Sequence, residues 1–131
     1  MTPDRMIQLP SSRDAKETMD RLAASVAAHG MHVFARIDHA GAARQAGLTL
    51  RPTEVLVFGD PKGGTLLMQA VQSIGIDLPL KVLVWEDENG KCWIGYNDPH
   101  WLAARHGVVQ GHEKLLDAMT KGLETVTKEA C

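Results

Sequence analysis

Apolar positions recur along this chain with two different periods. Ala15, Met19, Leu22 and Val26 fall on one stripe at helical spacing within SSRDAKETMDRLAASVAAHG, the pattern of an amphipathic helix. Ser11 or Ser12 is placed to cap it, Ser11 with Asp14 resembles a capping box, and Gly30 is placed to end it. A second stripe, Leu116, Met119, Leu123 and Val126, predicts a long helix through HEKLLDAMTKGLETVTKEA. RMIQLP, MHVFARID and TEVLVFG predict strands, the first ended by Pro10. HAGAARQAG and PHWLAARHG predict short helices. DPKGGTLLMQAVQSIG predicts another, with Pro61 at its first turn and Leu66, Leu67, Ala70, Val71 and Ile74 on its apolar face.

The segment LPLKVLVWEDENGKCWIGYND holds Asn89-Gly90 between two apolar runs, a strong hairpin signal. A two-residue turn there sets Glu88 opposite Lys91. It then pairs Trp85 with Ile94 and Leu83 with Tyr96 on one face, and Glu86 with Trp93 and Val84 with Gly95 on the other. Half-buried antiparallel strands alternate apolar and polar residues. These strands carry apolar bulk on both faces. Two long helices can cover one face; the other needs short helices, a ligand or a second copy of the chain. The expected fold is therefore α+β, with a mainly antiparallel sheet of about five strands and two long helices, and one domain over residues 1–131.

Composition narrows the functional classes. The apolar fraction is 44% and the charged fraction 23%, ordinary for a globular protein. A net charge of −2 argues against a nucleic-acid grip, which needs clustered Lys and Arg. The apolar runs are too short to cross a membrane, and MTPDRMIQLPSSRD has no apolar signal core, so a cytoplasmic protein is expected. The two cysteines, Cys92 and Cys131, form neither a disulfide framework nor a zinc site. They read as reduced thiols.

Four blocks, FARIDHAGAAR, RPTEVLVFGDPKGGTLLMQ, GIDLPLKVLVWEDENGK and YNDPHWLAARHG, together resemble the bacterial and archaeal family called domain of unknown function 302. The resemblance spans nearly the whole chain. It implies an α+β fold of the TATA-binding-protein class, with a strand, a helix, four strands and a helix in order, here with short helices inserted. It implies no proven activity and leaves any cofactor unknown.

Three places hold candidate chemistry. Asp38 and His39 end the second strand, where a carboxylate could orient an imidazole as base or ligand; the simpler role for Asp38 is a helix cap. The turn FGDPKGGT sets Gly59, Lys62 and Gly63 where free backbone N–H groups and a cation could meet an anion, although no Walker pattern is present. Tyr96, Asn97 and Asp98 end a strand ahead of a short helix. His100 and His106 do not share a helical face, so no metal site is expected, and no serine elbow is present. The expectation is a homodimer that binds a small ligand, with small anions among the candidates, through Asp38, His39, Gly59, Lys62, Gly63 and Tyr96. The alternatives are an enzyme using His39 as general base, or an interaction domain without a ligand.

Overall fold

The computed structural model describes residues 6–108 and 110–131. Arg5, which the sequence sets at the head of the first strand, lies outside the described residues. The elements run β1 (Met6–Ser11), α1 (Ala15–Ala28), β2 (His32–Asp38), α2 (His39–Gln45), β3 (Thr53–Gly59), α3 (Pro61–Ala70), a 3-10 turn (Gln72–Ile76), β4 (Leu80–Glu86), β5 (Cys92–Asn97), α4 (Pro99–Arg105) and α5 (Glu113–Ala130). The strands form one five-stranded sheet in the order β1-β5-β4-β3-β2. Every neighbouring pair is antiparallel. The expected α+β order therefore holds.

The two long helices lie on one face of the sheet. Met19, Leu22 and Val26 of α1 and Leu123, Val126 and Ala130 of α5 are buried against Leu56, Phe58, Val82, Val84, Ile94 and Tyr96. A second, smaller cluster joins α3, the 3-10 turn and α4 to the first turns of α5 through Leu67, Ile74, Ala103, Val108 and Leu116.

Several local expectations change. Asp14, not Ser11 or Ser12, caps α1, taking the Glu17 N–H at 2.7 Å. Ser11 belongs to β1, and its hydroxyl lies 2.8 Å from that of Thr18. Pro10 does not end β1; it pairs with Trp93, which an edge strand tolerates because the missing N–H faces no partner. The helix after β3 breaks at Val71, whose φ of −142° is extended. Leu66, expected on its apolar face, is exposed.

The hairpin differs most. Trp85 pairs with Trp93, Val84 with Ile94, Leu83 with Gly95 and Val82 with Tyr96, one residue away from the pairing that a two-residue turn predicts. The cause is a longer loop built on Asp87. Its carbonyl accepts from Gly90 N–H, its N–H donates to Lys91 O, and its carboxylate accepts from the Asn89 and Lys91 N–H groups. Gly90 sits at φ 77°. This is a type I turn closed by a left-handed residue, the common three-residue hairpin loop. The slip gathers Val82, Val84, Ile94 and Tyr96 on the helix side and leaves Leu83, Trp85 and Trp93 on the other.

Candidate functional site

Asp38 is the N-cap of α2. Its Oδ1 accepts from Gly41 N–H at 2.9 Å, and its Oδ2 lies 3.9 Å from the Arg44 guanidinium. His39 follows as the first helical residue, with its side chain exposed. Among the described residues no hydrogen bond or ion pair joins the Asp38 carboxylate to the His39 ring.

Asp38 does border a polar cavity of about 480 Å³, together with Lys16, Arg36, Arg44, Glu54 and Glu86. Much of that charge is already paired. Arg36 meets both carboxylate oxygens of Glu54, at 2.9 and 3.1 Å, and Asp20 at 2.8 Å. Its hydrogen bond to Glu54, ahead of that to Asp20, raises the guanidinium pKa further. Lys16 bonds Asp20 at 2.8 Å, and the pair lowers the Asp20 carboxyl below its ordinary range, Lys16 having the larger effect.

Gly59, Lys62 and Gly63 lie at the opposite end of the β2–β3 pair. Gly59 pairs with His32, whereas Asp38 pairs with Glu54. Six residues of strand separate the two ends, roughly 20 Å. At the start of α3 the Asp60 carboxylate takes the Lys62 N–H at 3.0 Å. It therefore sets a negative charge where an anion was expected. Tyr96 sits apart from both ends, buried on the helix side of β5. Burial, then the nearby Glu124 carboxylate, pushes its phenol pKa up. The six predicted residues thus fall at three separate places.

What the structure builds at the Gly59–Gly63 end is an apolar cavity of about 360 Å³. Met31, Phe34, Met68, Leu78, Leu115 and Met119 wall it. Phe34 reaches it from an irregularity in β2, where the register against β3 shifts between Val33 and Ala35. Glycines shape the space. A Cβ at Gly63 would stand 3.3 Å from Leu115 Cδ1, so α3 approaches α5 closely there. Gly122 lies inside α5 and also borders the cavity. A Cβ there would meet nothing within 4 Å, so packing does not demand the glycine, although glycine in a helix costs about 0.5–1 kcal/mol relative to alanine.

One further constellation has no signal in the sequence. Ser73 Oγ lies 2.8 Å from His106 Nδ1, and His106 Nε2 lies 2.6 Å from Asp77 Oδ2. Arg105 grips both oxygens of the same carboxylate at 3.0–3.1 Å. A hydroxyl, an imidazole and a carboxylate in series is the order that activates a serine. Neither cavity is lined by these residues, and the contacts tie the 3-10 turn to the end of α4. Asp77 and His106 come together only because the second cluster packs those two elements side by side. Cys92 is a free thiol buried in the core, and burial pushes its pKa up, away from thiolate chemistry.

The chain has relatives among known proteins. The chain is 46% identical over 125 residues to a protein of Brucella suis biovar 1 (strain 1330) named fluoride-specific ion channel FluC 1, covering 95% of this chain and 49% of that one. A FluC 1 protein of Brucella abortus biovar 1 (strain 9-941) matches at the same identity, with 46% of its length covered. The chain thus spans about half the length of these curated relatives. The crystal structure of an uncharacterized conserved DUF302 protein from Bacillus stearothermophilus superposes with a TM-score of 0.85, over 98% of this chain and 100% of that one, at 20% identity. At that identity the likeness shows the fold alone. The family model for Domain of unknown function DUF302 matches residues 7–126, and the chain belongs to that family.

Proposed function

We propose that this chain is a small-ligand-binding domain that works as a homodimer, and that its ligand lies in the apolar cavity between the β3–α3 turn and α5. The observation that carries the reading is Gly122, a helical glycine bordering a cavity of about 360 Å³ with no neighbour that needs it to be small. The volume falls in the range of small-molecule sites, which are mostly apolar with a few polar groups for orientation. Thr65 and Asp60 are the polar groups on the wall. Three methionines, Met31, Met68 and Met119, supply flexible side chains that adapt to a ligand's shape. The ligand class is therefore a small, largely apolar molecule with one hydrogen-bonding group. No observation favours His39 as a general base, since its ring stands exposed and away from this cavity.

The test uses methionine methyl NMR with decanol and indole as probes. Saturable shifts are expected at Met31, Met68 and Met119, with Met19, buried in the main core, unmoved. Gly122→Leu should weaken binding at least tenfold while the protein stays folded. Silence from all three methyls with both probes, or equal affinity in the variant, would refute the cavity as the site.

The relatives supply a second element. Those proteins are named as channels, yet no described helix of this chain is long and apolar enough to cross a membrane, and its sheet is open. A bilayer is spanned by helices or closed barrels, so we read the matching half of those relatives as a part outside the pore that responds to a ligand. Fluoride flux into liposomes carrying the Brucella suis relative, with the matching half present or removed, checks this. Removal should change the flux or its response to the cavity probes; identical behaviour would count against a regulatory role.

A further inference from the structure

We propose that the open face of the sheet is the surface on which two copies of this chain meet. This deepens the homodimer reading above by assigning its interface. The pairing registers place three rows of side chains on that face: Pro10, Trp93, Trp85 and Thr53; Gln8, Gly95, Leu83, Val55 and Ile37; and Met6, Asn97, Lys81, Val57 and Ala35. None of these residues belongs to either buried cluster. Ile37 is 43% exposed, and Leu83, Val55, Val57, Trp85 and Trp93 are half-buried.

The face is built to be flat. A Cβ on Gly95 would fall 3.0 Å from Trp85 Cζ3 and 2.6 Å from Met6 Cε, so the indole and the thioether lie down across the glycine instead of standing off the sheet. Trp93 is held at the rim by its indole N–H, which donates to Asp87 Oδ2 at 2.9 Å. Lys81 is the one formally charged residue in the three rows, and its ammonium turns back to the Pro79 carbonyl at 3.1 Å.

That chemistry suits a second copy. A twofold contact lays a patch against itself, so a charged centre would oppose its own like charge. Here the central row carries no charge, matching the charge-depleted, aromatic-rich cores of protein interfaces. Five strands about 4.8 Å apart and some 20 Å long give a footprint of roughly 500 Å². A pair of such faces then buries near 1,000 Å², the lower bound for a specific interface. The contact is therefore a modest one, two sheets face to face about 10 Å apart with the helices outermost, and its dissociation is expected at micromolar concentration.

Sedimentation velocity of the whole chain from about 1 to 100 μM, concentrations that bracket a micromolar dissociation constant, tests this. Wild type should move from 14.3 kDa toward twice that mass. Leu83→Lys in the central row and Ile37→Lys on the edge strand should each weaken association at least tenfold. Ile76→Lys, at an equally apolar but distant exposed site, should not. Far-ultraviolet circular dichroism keeps the test valid, and Ile37→Lys, at a site already exposed, serves if Leu83→Lys fails to fold. A dimer indifferent to both face variants overturns the assignment and leaves the homodimer standing. A wild type that stays monomeric at the top concentration overturns both. A monomer that floats with phosphatidylcholine vesicles through the same residues gives the face to lipid instead.

Discussion

The same five strands make two unlike faces. Toward the helices stand Leu56, Phe58, Val82, Val84 and Ile94, each fully buried. Away from them stand Val55, Val57, Leu83, Trp85 and Trp93, none fully buried. Both sets are apolar, so hydrophobicity does not separate them. Cover does. The covered face sets branched aliphatics and one phenylalanine against α1 and α5. The open face sets Leu83, Val55 and Val57 beside two tryptophans, with Trp85 lying over Gly95. Apolar residues thus mark where water is unwelcome; the covered face meets its partner within the chain, and the open face is the one we propose meets a second copy.

The sharpest way to break this contrast is to truncate one side chain on each face. Phe58→Ala removes a fully buried ring and should cost about 3–5 kcal/mol. Leu83→Ala, on the open face, should cost about 1 kcal/mol in dilute solution. Urea denaturation of both reads the difference; equal losses would mean that the open face is covered within the chain. A smaller effect is expected from Gly95→Ala. The new methyl must displace the Trp85 ring or the Met6 thioether, and overpacking of this kind costs about 1–3 kcal/mol. An unchanged midpoint would show that the indole does not lie where the structure has it.

The least effect belongs to Asp87, which anchors the hairpin to the open face. The Trp93 indole N–H, and after it the Lys91 backbone N–H, holds its carboxyl below the ordinary value of 3.8. A carboxyl lowered in the folded state stabilises above its unfolded pKa, and that contribution is lost as the pH falls through the folded value. Wild type should therefore exceed Asp87→Asn in stability near neutral pH. The gap should narrow below about pH 4, where the unfolded carboxyl begins to protonate. A gap that does not change with pH would assign the effect to loop shape alone.

Much of the candidate site was hidden in the sequence for one reason: its parts are local in three dimensions and remote along the chain. The Asp38 cap was legible, because a cap needs only the residues that follow it. The turn 59–63 was legible as a turn. Its role was not, because Asp60 supplies the negative charge and the cavity beside it is completed by Leu115, Met119 and Gly122 from the far end of the chain. Tyr96 ends a strand in the sequence, yet its side chain points to the helix side, where α5 buries it. Ser73, Asp77 and His106 could not be grouped before α4 and the 3-10 turn were set side by side.

The sequence by itself determined the two long helices, the strand count, the turn residues and the family, since each rests on periodicities or motifs only a few residues long. Tertiary structure alone decided the hairpin register, and with it the identity of each face. Side chains alternate along a strand with a period of two, so one extra loop residue exchanges the faces of every partner. Asn89-Gly90 is compatible with either loop. The three-residue loop wins because it sends Val84 and Ile94 together under α1 and α5, and leaves the tryptophans outside.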